Sequence, residues 1–228
     1  MTTSVYYNPE SLTCDQLDVL LSMGWYRMHQ SIFTTNYIFL EDRSLRVFWL
    51  RYGLKTLQFS KKQQKLLQQN QRFEVINKPA IITEELEELY SLYKTAILFE
   101  PAPSVKGWLF DEEENRNIYD THLIEIRDAG KLVAAGIYDK GSNSIAGIMN
   151  FYHPEYKKYS LGKYLVLLKA QFAKNAHYKY YYPGYITHGY PAFDYKLFLG
   201  EQNTEMFIPE LNGWYRYNLD LIEDISQK

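Results

Sequence analysis

Residues 130–196 read GKLVAAGIYDKGSNSIAGIMNFYHPEYKKYSLGKYLVLLKAQFAKNAHYKYYYPGYITHGYPAFDYK, and the order of patterns in this stretch decides the fold. Two runs rich in apolar, β-branched and aromatic residues flank Asp139-Lys140-Gly141-Ser142-Asn143, a row of turn formers that predicts a hairpin. A polar loop follows and ends in Ser160-Leu161-Gly162. Leu161, Tyr164, Leu165, Leu168 and Phe172 then recur at three- and four-residue spacings, which predicts an amphipathic helix over 161–174. A tyrosine-rich strand closes the segment.

Upstream, Leu17, Leu20 and Leu21 predict a short helix over 15–23, and residues 36–57 read as two strands around Glu41-Asp42-Arg43-Ser44. Ser60 suits the N-cap of a helix running to Gln69. Lys78-Pro79 interrupts the pattern, and Thr83 caps a periodic helix through Leu86, Leu89, Tyr90 and Tyr93. Residues 101–117, with two prolines and an acid run, read as a surface loop. The expected division is an N-terminal subdomain at 1–78 and a C-terminal domain at 79–228.

With 228 residues, 46% of them apolar, the chain can bury a core as one domain or two small ones. No stretch approaches the roughly 18 to 20 apolar residues of a membrane span, and residues 1–7 lack signal-peptide character, so the cytoplasm is the expected location. Cys14 is the single cysteine, which excludes an internal disulfide and cannot by itself build a zinc or iron-sulfur site; no metal is expected. The net charge of −2 conceals segregation. Arg43, Arg46, Arg51, Lys55, Lys61, Lys62, Lys65 and Arg72 fall in one acid-free segment, and Lys157, Lys158, Lys163, Lys169, Lys174 and Lys179 in another. Two local basic faces suit a phosphate backbone. Some of the 22 tyrosines would simply build strands, and others could stack on a nucleic-acid base.

Strand, loop, helix and strand in this order resemble the acetyl-CoA-dependent N-acetyltransferase (GNAT) fold, in which a glycine loop at a helix start holds a pyrophosphate. Here that frame reads Lys157-Lys158-Tyr159-Ser160-Leu161-Gly162, with Ser160 in place of the first glycine. Asn150-Phe151-Tyr152-His153-Pro154, Ser160-Leu161-Gly162, Tyr182-Pro183-Gly184-Tyr185-Ile186 and Tyr195-Lys196 also stand in the order of the C-terminal domain of arginyl- and leucyl-tRNA-protein transferases. Leu20-Leu21-Ser22-Met23-Gly24-Trp25-Tyr26-Arg27, the helix from Ser60 to Asn70, and Asn212-Gly213-Trp214 resemble the family's other landmarks. The chain departs from the family where its N-terminal cysteine set should stand, reading Phe33-Thr34-Thr35-Asn36-Tyr37, and in having His153 before Pro154.

The resemblance implies an α+β chain, a GNAT-like acyltransferase fold with a mixed, largely antiparallel sheet and a smaller N-terminal α/β subdomain. It implies an N-end rule aminoacyltransferase that moves Arg or Leu from charged tRNA to the N-terminal amine of an acceptor protein beginning with Asp or Glu, with aminoacyl-tRNA as co-substrate and no other cofactor. Lys157, Ser160, Leu161, Gly162 and Lys163 would hold the tRNA 3′ end, with Tyr182 and Tyr185 lining its pocket. Tyr195, Lys196, His153 and Asp194 are the catalytic candidates, with His188 a further proton carrier, and Arg27 and Lys65 would face the acceptor carboxylate. Two other readings stay open. One is a non-catalytic relative that binds tRNA or N-termini; the other is an acyl-CoA-dependent N-acetyltransferase, which has no place for the Tyr-x-Gly-Tyr strand.

Overall fold

A computed structural model describes residues 4–40, 42–97, 101–110 and 116–226. The first half contains β1 (Val5–Tyr7), α1 (Cys14–Ser22), β2 (Tyr26–Met28), β3 (Ser31–Thr34), β4 (Tyr37–Leu40), β5 (Arg43–Gly53), α2 (Lys61–Gln69), β6 (Glu74–Pro79), α3 (Glu84–Lys94) and α4 (Val105–Leu109). The second contains β7 (Thr121–Asp128), β8 (Lys131–Lys140), β9 (Ser144–Tyr152), α5 (Leu161–Asn175), β10 (Tyr180–Thr187), β11 (Thr204–Ile208), β12 (Gly213–Arg216) and α6 (Leu219–Ser226). The predicted caps form. Ser60 accepts from the Gln63 amide while the Gln63 side chain accepts from the Ser60 amide at 2.7 Å, and Thr83 accepts from the Leu86 amide at 3.3 Å. The expected loop at 101–117 is corrected in part. Ser104 caps α4, whose Val105 and Leu109 are buried; five residues are too few to show a period beside two prolines. The acid run at 111–114 and Glu41 of the first turn lie outside the described residues.

The fold is mixed α+β. One nine-stranded sheet runs β12-β11-β5-β10-β9-β8-β7-β6, with β4 also on β5, and a separate small sheet runs β1-β3-β2. Among the described residues β9–β10 is the one parallel pair; the others are antiparallel. The first 78 residues thus share the large sheet with the rest, because β5 lies between β11 and β10 and Lys78 falls inside edge strand β6. Pro79 is tolerated at that edge, where its missing N–H costs no central ladder bond. No helix among the described residues is long and apolar enough to cross a membrane.

Strand alternation sends side chains to two faces. Tyr52, Ile124, Tyr138, Ile145 and Tyr181 join α5, with Leu66 and Leu67 of α2 packed alongside, while Phe48, Leu50 and Ile186 meet Ile222 of α6. On the other face Val47, Trp49, Ala146 and Tyr182 pack against α1 and the small sheet, and Leu123, Leu132 and Ile137 against α3 and α4. α2 and α5 are in contact, with Asn70 Nδ2 donating to the Tyr159 carbonyl at 3.0 Å. Both basic segments therefore contribute to one face, where Lys61, Lys62, Lys65, Lys157, Lys158 and Lys163 are exposed. The glutamates 84, 85, 87 and 88 of α3 lie on the opposite face.

A buried ion pair ties the two sheets together. Arg27 of β2 is 2% exposed and Asp139 of β8 is fully buried, with Nη1 2.8 Å from Oδ1. All five guanidinium N–H groups find acceptors: Asp139, the Thr121 hydroxyl at 2.9 Å, the His29 carbonyl at 2.8 Å, the Leu109 carbonyl and Asn117 Oδ1. Thr121 donates in turn to Asp139 at 2.6 Å. Burial raises the Asp139 pKa, against the pull of Arg27 and Thr121. Removing either partner strands a charge in the interior, so Arg27→Met or Asp139→Leu alone is expected to lower unfolding free energy by about 3–5 kcal/mol in urea titrations. The double substitution recovers most of that loss.

Candidate functional site

The site begins where β9 and β10 separate. Tyr180, Tyr181 and Tyr182 pair with Ser144, Ile145 and Ala146, and there the parallel ladder ends. Each strand is bent at that point by an irregularity against its other neighbour. The β8–β9 register shifts so that Tyr138 faces Gly147 and Ile137 faces Met149, while the β10–β5 register shifts between Tyr181 and Gly184 around Pro183. The gap is a cavity of about 270 Å³ lined from both faces of the sheet. Tyr52, Asn150, Val166 and Tyr181 reach it from the α5 face, and Tyr26, Phe33 and Trp49 from the other.

Tyrosines and lysines hold the walls apart. Tyr26 donates to the carbonyls of Gly147 on β9 and Tyr182 on β10, the latter at 3.1 Å, bridging the gap at its closed end. Tyr52 donates to the Lys196 carbonyl and anchors the 3-10 turn Pro191–Leu197. Lys169, read from sequence as part of a basic face, is instead completely buried, and its Nζ donates to the carbonyls of Ile137 at 2.6 Å and Met149 at 3.2 Å. Those carbonyls belong to the irregular stretch of β8 and β9, and an ammonium can satisfy both. Desolvation lowers its pKa to about 7.

The predicted site residues divide into groups. Tyr185, Tyr195 and Lys196 line the cavity. The Tyr185 ring stands edge-on to Trp49 at 5.2 Å, and Tyr195 is 52% exposed at the mouth. Lys196 Nζ donates to the Tyr185 carbonyl at 2.8 Å and lies 4.6 Å from that ring centre, and burial lowers its pKa to about 7. Tyr182 points away, packed edge-on to Trp214 at 5.6 Å, with burial raising its pKa to about 12. Lys163, His188, Asp194 and Tyr195 border a second hollow of about 750 Å³, so Tyr195 is shared by both. Lys157 and Ser160 are exposed beside the start of α5, where Ser160 is left-handed at φ 52°, Leu161 is fully buried and Gly162 lies against Tyr152. His153 lines neither cavity; its Nδ1 accepts from the Glu155 amide at 3.4 Å and caps a 3-10 turn. Lys65 is exposed on α2, and Arg27, expected to face an acceptor, borders the cavity with every N–H already bonded.

Sequence reasoning gave no role to Trp49, Asn150 or the wall tyrosines Tyr26 and Tyr52. Lys169 did carry a signal: it stands four residues after Leu165 and three before Phe172, inside the apolar stripe. Gly184 of the Tyr-x-Gly-Tyr strand is required by the backbone and by its neighbour. Its φ is +101°, and a Cβ there would come within 3.3 Å of Lys196 Nζ.

A family model for the C terminus of arginine-tRNA-protein transferase matches residues 85–204, just over half of the chain. The chain belongs to this family. It is therefore an aminoacyltransferase, taking its donor from aminoacyl-tRNA and its acceptor from protein. The match includes β9, α5 and β10, which supply part of the cavity wall, while the wall residues of β2, β3 and β5 lie outside it. Curated relatives include an aspartate/glutamate leucyltransferase of Leptospira interrogans serogroup Icterohaemorrhagiae serovar copenhageni, 26% identical over 90% of this chain and 80% of its own length. Another, from Helicobacter hepaticus, is 24% identical over 84% and 79%. Among solved structures, L-PGS from Bacillus licheniformis superposes with a TM-score of 0.51 at 12% identity, covering 92% of this chain and 67% of that one, a likeness of fold alone.

Within this site Gly184→Ala combines backbone strain with displacement of Lys196. Transfer activity is expected to fall at least about tenfold while thermal stability falls by only about 1–3 kcal/mol. Single-turnover rates beside a melting curve check this.

Proposed function

We propose that this enzyme transfers leucine from leucyl-tRNA to the N-terminal amine of proteins beginning with Asp or Glu, at the cavity between β9 and β10. The observation that carries the reading is the cavity's position: it is lined from both faces of the sheet, one rich in exposed lysines and the other in aromatic residues. The separation of parallel β9 and β10 beside the helix that follows β9 supports a GNAT-like arrangement of the donor. Leucine is favoured over arginine because the cavity wall, among the described residues, offers Met28, Phe33, Trp49, Trp108 and Val166 and no carboxylate to pair a guanidinium. The relatives named aspartate/glutamate leucyltransferase support both that donor and acidic acceptors.

The tRNA lies on the α2–α5 face, with Lys157, Lys163 and Ser160 at its 3′ end. Lys65 joins this set, since α2 presents it on the same side as α5. Tyr195 covers the terminal adenosine at the mouth. The N-terminal portion, residues 1–78, supplies the acceptor side through β2, β3 and β5, with Arg27 held as a wall by Asp139. His188 and Asp194, around the second hollow, stand where protons can leave to solvent, and His153 serves as a cap. Aminoacyl-tRNA is the sole co-substrate, and the cytoplasm, where charged tRNA resides, is the location.

The ester is already activated, so orientation of the amine carries much of the rate. The acceptor amine attacks the ester carbonyl, the C–N bond forms, and the tetrahedral intermediate collapses with loss of the tRNA ribose oxygen. Lys196, neutral above its lowered pKa, takes the proton from the attacking nitrogen through its lone pair while one N–H still donates to the Tyr185 carbonyl. It returns that proton to the ribose oxygen.

The first test is transfer of labelled leucine or arginine from charged tRNA to peptides beginning with Asp, Glu, Lys or Ala. Label from leucyl-tRNA on the acidic peptides alone is expected; no label on any peptide overturns the reading. The kcat profile should rise tenfold per pH unit below about 7 and level above it, because the lowered pKa makes Lys196 the proton acceptor in that range. Lys196→Arg cannot release its proton near neutrality and should lower kcat by about 10²- to 10⁴-fold with tRNA affinity unchanged. Lys157→Glu combined with Lys163→Glu should instead weaken tRNA binding and flatten its salt dependence.

A further inference from the structure

Asn150 presents an unused acceptor. It lies on β9 at the cavity wall, on the α5 face, and its Oδ1 is buried with no hydrogen-bond partner. Its place is cut out by Gly136 on β8: a Cβ there would meet Asn150 Oδ1 at 3.0 Å, Lys169 Cε at 3.1 Å and Leu165 Cδ2 at 2.9 Å. Only the missing side chain at 136 lets this amide lie under α5. A buried carbonyl oxygen without a donor is costly to maintain, and such groups are rare in folded chains.

Several of the cavity's other polar groups are already bonded. Tyr26 and Tyr52 spend their hydroxyl protons on backbone carbonyls, Lys196 donates to the Tyr185 carbonyl, and Arg27 is saturated. The remaining orphan on the wall is Trp49 Nε1, a donor on the opposite face of the sheet, buried at 3% exposure. The α5 side of the cavity thus offers an acceptor and the far side a donor.

We propose that Asn150 recognises the free α-amino group of the donated amino acid through Oδ1. The inference rests on the reading above that charged tRNA approaches from the α5 face. An aminoacyl ester brings its α-amino group as a hydrogen-bond donor, and Asn150 Oδ1 is, among the described residues, a buried acceptor without a partner on that side. A blocked amine keeps a single N–H and no charge, carries an added acyl group, and meets the closed notch formed by Gly136, Leu165 and Lys169. The enzyme would therefore reject N-blocked aminoacyl-tRNA, as it must if each transfer is to leave a free N-terminus.

Equilibrium binding of leucyl-tRNA and N-acetyl-leucyl-tRNA to the wild-type chain and to Asn150→Leu tests this without requiring turnover. Wild type is expected to prefer the free amine by at least about tenfold, the worth of one buried hydrogen bond to a charged donor. Asn150→Leu should lose affinity for leucyl-tRNA about tenfold and leave N-acetyl-leucyl-tRNA unchanged, so that discrimination collapses. Asn150→Asp, which keeps an acceptor oxygen, should retain it. Equal weakening of both ligands in Asn150→Leu, or no preference in wild type, overturns the assignment; if Leu is not accommodated beside Lys169, Asn150→Ala gives the same comparison. Loss of peptide labelling with discrimination in binding intact would instead count against the transfer reaction alone.

Discussion

β10 has two neighbours whose demands diverge along its length. It must run antiparallel to β5 from Tyr180 to Thr187, yet parallel to β9, and the parallel ladder holds for only three residue pairs. Beyond Tyr182 the strands part, and a sheet opened in its middle exposes two rows of backbone groups that water or a ligand must meet. The rest of the site follows from containing that opening. Tyr26 bridges it at the closed end, Tyr52 fixes the turn that crosses its mouth, and Lys196 passes over Gly184 to the Tyr185 carbonyl.

The open seam would be soft without rigid flanks, and buried charge supplies them. Arg27 and Asp139 clamp the small sheet to β8, drawing in Thr121 of β7 and the Leu109 carbonyl of α4. On the other face of the same strand pair Lys169 secures the β8–β9 irregularity through two carbonyls. An apolar replacement at either place could pack as well or better. What it could not do is donate to the backbone carbonyls these cations meet, Ile137 and Met149 at Lys169 and His29 and Leu109 at Arg27. Charge here fixes the shape of the cavity wall more than it stabilises the chain.

Much of this was readable from sequence because the informative patterns are local. Ser60 and Thr83 announced α2 and α3, and Asp139 through Asn143 announced the β8–β9 hairpin. The short strands β1, β2, β3, β11 and β12 carry three to five residues each, too few for a period, and they exist only through pairing with distant partners. The site divided in the same way. Tyr185, Tyr195 and Lys196 follow one another along the chain beside the cavity and were found together. Trp49 and Asn150 reach it from strands whose pattern gives neither residue a role of its own. Arg27 reads as a cation for the acceptor carboxylate because nothing local reveals that Asp139, 112 residues away, is its partner.

On the reading proposed above, the two faces of the sheet let one opening serve two macromolecules. A tRNA carries dense negative charge and is repelled by the glutamates of α3, whereas the exposed lysines of α2 and of the α5 approach lie together on the opposite side. An acceptor protein brings no such charge density and needs only room for an extended N-terminus at an aromatic wall. If both substrates shared one face, the tRNA would cover the entrance before the amine arrived. On the reading proposed above, a cavity lined from both faces removes that conflict, since ester and amine would meet between β9 and β10 from opposite directions. The parallel pair between β9 and β10, the one such pair among the described residues, is what allows the opening: two strands without a shared hairpin can separate at one end while remaining bonded at the other.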